Sequence, residues 1–169
     1  PRANRRKADL VCFAPGDVVS WLFDAGIVNS NVSGQSYNGS AAVTVVVFAD
    51  RSGNAKHSES WSDLIRPGIQ VLTPNPFSSG SAKWNILAAY DAERHLGKTD
   101  AQATSYVTTR FQHVVSQDSA CAHATNTVLS GKRDGLPAYA DDAIRANPNR
   151  PDTTYMHPTP PKLTPQPLR

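Results

Sequence analysis

The sequence predicts an α/β fold with a mainly parallel sheet, and three observations lead there. Apolar runs of strand length alternate along the chain with longer stretches of helical period. One junction shows the unit whole: the run IQVL, the turn TPNPFSSGS, and then residues 82–96 with Trp84, Leu87 and Ala88 on one face. The composition, 39% hydrophobic and 18% charged in 169 residues, is that of one globular domain able to bury a core.

In chain order, residues 9–13 (DLVCF) read as a short buried strand, and residues 17–25 as a helix with Val18, Trp21, Leu22 and Ala25 inward, closed by Gly26. Residues 29–39, rich in Asn, Ser and Gly, form a loop. The strongest strand signal follows at 42–48 (AVTVVVF), expected at the centre of the sheet. Residues 61–66 make a short helix stopped by Pro67-Gly68, and 69–72 a further strand. Beyond the 82–96 helix a second runs over 100–114, and a polar loop, SQDSACAHATN, opens a third that ends near Gly131. Residues 8–146 are therefore one α/β lobe, preceded by a basic arm (1–7) and followed by a tail (147–169). Seven of the 23 tail residues are proline, and the tail is expected to be disordered. The chain starts at Pro1 with neither an initiating methionine nor an apolar leader, which reads as a processed or fragmentary product.

The net charge of +3 and the pI of 9.0 do not describe the lobe. Arg2, Arg5, Arg6 and Lys7 crowd the arm, whereas residues 8–131 hold seven basic and ten acidic side chains. No aromatic residues interleave with the basic arm to stack bases, so no nucleic-acid partner is expected. The longest apolar run, residues 41–49, contains Thr44 and falls far short of the roughly 20 residues of a spanning helix. Cys12 and Cys121 suit neither a zinc set nor a disulfide-rich scaffold, and one bridge between them stays open. Gly97-Lys98-Thr99 lacks the earlier glycine of a phosphate loop, Ala92 standing in its place. Neither serine-hydrolase signature occurs. His113, Cys121 and His123 match no zinc spacing, and no cofactor is implied.

Chemistry points to the turn before the 82–96 helix. Ser78 or Ser79 is a good N-cap, and Gly80 and Ser81 are small enough for close approach to the backbone. The first N–H groups of a helix have no intrahelical acceptor, so Ser79, Gly80 and Ser81 offer convergent donors and hydroxyls at the positive end of the dipole. Lys83, unfavourable there by itself, becomes favourable once an anion is bound. The alternative at this point is an ordinarily capped helix.

The blocks ADLVCF, VTVVVFADRSGNAK, WSDLIRPGIQVLTPNPFSSGSAKWNILAAY and QDSACAHATNTVLSGKRDGLPAYADDA resemble, in order and spacing, those of the sulfate- and thiosulfate-binding proteins of bacterial ABC importers. The resemblance spans residues 8–145. It implies a periplasmic-binding-protein-like lobe with a parallel or mixed sheet, mainly the second lobe of a two-lobed Venus-flytrap fold and incomplete. Ser79, Gly80 and Ser81 match the family's Ser-Gly-Gly sulfate cradle. Cys121 matches a donor of a main-chain N–H, and Tyr139 stands where the family has a tryptophan. The family's Gly-Ala-Arg-Gly is here Ala120-Cys121-Ala122-His123, and its DVLLAW strand is DGLPAY, with Pro137 removing a ladder donor. Family members are about twice this length, so half a donor shell and weakened binding are implied. The function so implied is capture of sulfate or thiosulfate by a monomer outside the cytoplasmic membrane, for delivery to a membrane permease, without catalysis. Two rivals stay open: an enzyme holding a phosphorylated substrate at the same helix end, and a non-functional fragment. A site made only of donors favours sulfate over phosphate, which carries a proton; the orientations of Asp118 and Asp141 leave that argument open.

Overall fold

The computed structural model describes residues 12–14, 16–28, 36, 40–50, 56–130, 134–146, 154–156, 158 and 163–167. The chain divides into two compact units, Pro1–Val43 with Pro165–Arg169, and Thr44–Thr164, a division that falls within the first strand.

In the smaller unit helix α1 spans Asp17–Asp24 and ends at Gly26, whose φ of 65° is one that glycine adopts without strain. The expected inward face is corrected. Val19 is buried and Trp21 is 62% exposed. Two turns of helix leave the phase of an apolar stripe resting on one or two residues. Of the expected strand at 9–13, residues 9–11 lie outside the described residues, and Cys12 is an exposed single bridge. Neither Cys12 nor Cys121 is in a disulfide, so the bridge left open above is not formed.

The larger unit carries the sheet. Strand β1 (Ser40–Asp50) is followed by a 3₁₀ helix (Trp61–Ile65), then β2 (Val71–Pro74), α2 (Gly80–His95), α3 (Asp100–Gln112), β3 (Val114–Asp118), α4 (Cys121–Leu129), β4 (Gly135–Tyr139), α5 (Ala140–Ala146), β5 (Thr154–Met156) and β6 (Leu163–Pro167). The strands lie in the order β3-β2-β4-β1-β5, and β6 also pairs with β1. β2 runs parallel to β3 and β4, while β1 is antiparallel to β4 and β5, so the sheet is mixed. β1 is interior without being the central strand.

Residues of β1 alternate between two cores, as side chains on a pleated strand must. Val46 and Phe48 join Trp61, Ala88, Ala92 and Tyr106 on the α2–α3 face; Val47 and Ala49 join Cys121, Ala124, Val128 and Ala143 on the α4–α5 face. Burial on both faces explains the apolar run Val46–Ala49 in β1. Trp61 and Phe48 meet edge to face at 4.8 Å, and the Tyr106 hydroxyl donates to the Trp61 carbonyl.

Within the tail expected to be disordered, Thr154–Met156 forms β5 and Leu163–Pro167 forms β6, while residues 147–153, 157, 159–162 and 168–169 lie outside the described residues. Thr-Tyr-Met has no proline and good strand propensity, and it pairs antiparallel with Phe48–Asp50 at the sheet edge. Pro165 and Pro167 fall in β6, a strand lying off the main path of the sheet.

Helix α3 begins with a reciprocal cap: Gln102 N–H donates to Thr99 Oγ1 (3.3 Å), and Thr99 N–H to Gln102 Oε1 (2.9 Å). Thr99→Ala is therefore expected to lower the unfolding free energy by about 1 kcal/mol, read as a drop in the urea midpoint. An unchanged midpoint would assign that helix end no part in stability.

Candidate anion-binding site

The carboxyl ends of β2, β3 and β4 lie at one edge of the sheet, because the three are parallel, and helices α2, α4 and α5 start there. The chain leaves β2 for β3 on one side and reaches β4 on the other. A crevice opens in an open α/β sheet at such a reversal of strand order. Helices α2 and α4 pack on opposite faces, so their N-termini meet across this edge.

Hydrogen bonds hold the loops before them together. Asn75 N–H donates to the Asp118 carbonyl (2.8 Å), and the Ser78 hydroxyl to the Ser119 carbonyl (3.0 Å). Asn75 also shapes its own turn: its Oδ1 accepts from Phe77 N–H (2.8 Å), and its carbonyl from Ser78 and Ser79 N–H at 3.1 and 2.8 Å.

Ser79 is the N-cap residue of α2, yet its side chain does not cap the helix. Its hydroxyl lies 2.8 Å from the Ser81 hydroxyl, and its N–H is taken by Asn75, so it brings a hydroxyl rather than an amide. Gly80 and Ser81 open α2, where N–H groups precede the first intrahelical acceptor. Cys121 opens α4 in the same way. Its sulfur lies beside the Ser81 hydroxyl, the Tyr139 backbone and the Asp142 carboxyl. Ser79, Ser81, Cys121 and Tyr139 thus form one contiguous group, with Gly80 between the two serines.

Burial above all, then the charge of Asp142, pushes the Cys121 thiol up to about 12, which keeps it a protonated donor and no nucleophile. Burial, with Cys121, Asp141 and Asp142 adding to it, also raises the Tyr139 phenol. That hydroxyl is buried with no hydrogen-bond partner among the described residues.

The two converging helix ends differ from the rest. The 3₁₀ helix and α3 carry capping boxes, and α1 and α5 have acids in the first turn, whereas α2 and α4 have neither a side-chain cap nor a first-turn acid. Among the described residues neither a side-chain cap nor a first-turn acid compensates their dipoles.

The orientation of the acids, open in the sequence, is now visible. Asp118 accepts from Thr127 (3.2 Å); Asp141 accepts from Thr44 (3.0 Å) and pairs with Arg145 (3.5 Å). The carboxyl that reaches the group is Asp142, which sequence reasoning missed, although Asp141-Asp142 reads as a helix first turn three residues past Tyr139. Burial raises its pKa above the ordinary carboxylate range. Asn85, also missed, is fully buried one turn beyond Ser81; its Nδ2 donates to the Pro137 carbonyl (2.6 Å). Its Oδ1 has no partner among the described residues.

The chain resembles known proteins over most of its length. The chain is similar to the sulfate-binding protein of Salmonella typhimurium, 38% identical over 146 residues, which are 85% of this chain and 44% of that protein. It is 30% identical to the thiosulfate-binding protein of Pseudomonas aeruginosa over 139 residues, 80% of this chain and 42% of that one. The chain therefore spans less than half the length of these curated relatives. Among solved structures, the sulfate-binding protein SubI from Mycobacterium tuberculosis superposes with a TM-score of 0.91 at 34% identity, over 99% of this chain and 58% of that one. The mixed α/β fold is thus that of a solute-binding protein, present in part, and the relatives are named as binding proteins rather than enzymes. Residues 2–169 match the family described as bacterial extracellular solute-binding protein, and the chain belongs to that family.

Proposed function

We propose that this chain supplies one side of a binding site for a tetrahedral dianion, sulfate or thiosulfate, which it carries as a monomer outside the cytoplasmic membrane to an ABC-type permease. The observation that carries the reading is the meeting of two uncapped, acid-free helix N-termini at Ser81 and Cys121. Desolvating a dianion is costly, and convergent amides at positive helix ends offset that cost without a counter-charge. Gly80, Ser81 and Cys121 contribute amides, Ser79 a hydroxyl and Tyr139 its unspent phenol hydroxyl. Asp118 and Asp141 are engaged elsewhere and Asp142 lies against the Cys121 side chain, so the amides and hydroxyls of the two helix ends are the groups offered to an anion without a proton. The printed names of the relatives, sulfate- and thiosulfate-binding, support the same ligand class.

Calorimetric titration of the full chain with sulfate, thiosulfate and phosphate tests this. Saturable binding of one sulfate or thiosulfate, with phosphate weaker, is expected. Failure of both sulfur oxyanions to bind at about 1 mM, a threshold near −4 kcal/mol, would remove the reading.

A further inference from the structure

One side-chain bond ties helix α2 to strand β4. Asn85 is fully buried, and its Nδ2 donates to the Pro137 carbonyl at 2.6 Å, between residues 52 apart in the chain. That carbonyl is open to a side chain because the sheet parts there. β2 pairs with β3 as far as Pro74↔Asp118, whereas among the described residues it pairs with β4 at Val71↔Gly135 and no further. Proline has no N–H with which to carry a ladder on, and the Asn85 amide enters the gap. The rest of that amide is unspent, since Oδ1 is buried without a partner among the described residues. A side chain of the same shape without polar atoms would fill the space and leave no acceptor unpaired. What the asparagine adds to packing is therefore the bond to β4.

From this tie, helix and strand lead to the same place. Val46 and Phe48 face the α2–α3 core and stand opposite Tyr139 and Pro137, so Pro137 and Tyr139 lie on the face that α2 covers. On α2, Ser81 and Asn85 are both buried and four residues apart, hence one above the other on one side of the helix. Toward the carboxyl edge of the sheet, the four residues from Asn85 back to Ser81 rise about 6 Å. The two residues from Pro137 on to Tyr139 advance about 6.6 Å. The two steps are nearly equal, so the single bond sets Ser81 level with Tyr139 where α2 and α4 begin. The Tyr139 hydroxyl is buried and has no partner among the described residues.

We propose that Asn85 is a positioning residue for the oxyanion: by holding Pro137 it fixes the Tyr139 hydroxyl against the N-terminus of α2, so that both donate to one ligand. The inference rests on the anion reading of the site. Asn85 acts through Tyr139 and not on the ligand.

Sulfate calorimetry on the full chain, with a urea midpoint for every variant, compares wild type, Asn85→Leu, Tyr139→Phe and the double variant. Leucine keeps the shape of asparagine and removes the donor; phenylalanine removes a hydroxyl that has no partner in the protein, so neither change opens a large cavity. Each single change is expected to weaken sulfate binding by about tenfold, the usual effect of losing one hydrogen bond to a charged group. Independent losses would multiply to about a hundredfold, whereas a residue that acts through Tyr139 leaves the double variant near the tenfold of Tyr139→Phe alone. A role in stability alone would lower the urea midpoint without that coupling. Should Asn85→Leu not fold, Asn85→Ser, whose hydroxyl stops short of the carbonyl, takes its place in the cycle. Wild-type affinity in the Asn85 variant, or a double variant weakened by about a hundredfold, overturns the positioning role and leaves the anion site standing. A Tyr139→Phe chain that binds sulfate as wild type does also overturns it. Absence of sulfate binding by wild type overturns the anion reading and the positioning role together.

Discussion

Replacing Ser79 with aspartate is expected to abolish sulfate binding while leaving the fold as stable as before, or more so. The two effects separate because Ser79 occupies an N-cap position without capping: its hydroxyl is spent on Ser81. Aspartate is as good an N-cap as serine, and its charge gains about 0.3–1 kcal/mol from the dipole of α2. The same charge confronts the ligand. A unit charge about 4 Å away, at an effective dielectric near 20, costs about 4 kcal/mol for each charge on the anion, so affinity falls by well over a hundredfold. Sulfate titration beside a urea midpoint reads both. A Ser79→Asp chain that still binds sulfate within about tenfold of wild type would place the anion somewhere else. Ser79→Ala, which removes a hydroxyl and adds no charge, should lose much less.

Alternating period and turn chemistry made most elements of the larger unit legible: β1, the 3₁₀ helix, β2, α2, α3 and α4 all stand close to where the residues place them. Strand β3 was missed because it pairs on one side only, at the end of the sheet, and Val-Val-Ser-Gln-Asp is half exposed and polar enough to pass for a loop. The buried face of α2 was misjudged for a packing reason. Large apolar residues at 84 and 87 suggested it, yet Leu87 is 47% exposed, and the inner face is Ala82, Asn85, Ala88, Ala89, Ala92 and Glu93. A helix held closely against a sheet and a neighbouring helix selects small side chains, which carry little weight in a hydrophobic pattern. Pro137 looked incompatible with an interior strand. It sits between β2 and β1 nonetheless, and its carbonyl is satisfied by Asn85 from 52 residues away, a partner that no local pattern reveals. The site divides in the same way: the uncapped turn at 79–81 is local and readable, whereas its meeting with Cys121 and Asp142 depends on strand order.

At the other end of β4 the structure holds a second titratable group with a large expected effect. Asp50 closes β1 and is 1% exposed, and neither carboxyl oxygen has a hydrogen-bond partner among the described residues. It lies opposite Gly135, where a Cβ would run into its carboxyl and force it to move. Next to it Asp134 accepts from Lys56 (2.8 Å) and from Gln70 N–H (2.9 Å). Burial first, and the charge of Asp134 second, raise the Asp50 pKa from 3.8 to about 7. The folded chain therefore keeps a proton on Asp50 that the unfolded chain has already lost above about pH 4, and stability falls as pH rises from there to about 7. The gap between the two values is worth about 4 kcal/mol, spread across that window and complete once Asp50 ionises in the folded state. Other groups titrate in the same range, so the informative quantity is the difference between wild type and Asp50→Asn, which carries no ionisable group at this position. That difference, from urea unfolding at several pH values, should shift against wild type by about 4 kcal/mol between pH 4 and 7, with the variant gaining its advantage at the alkaline end. A difference that stays level across the window would mean that the buried carboxyl finds compensation in the folded protein, and that the close approach of Gly135 serves packing alone.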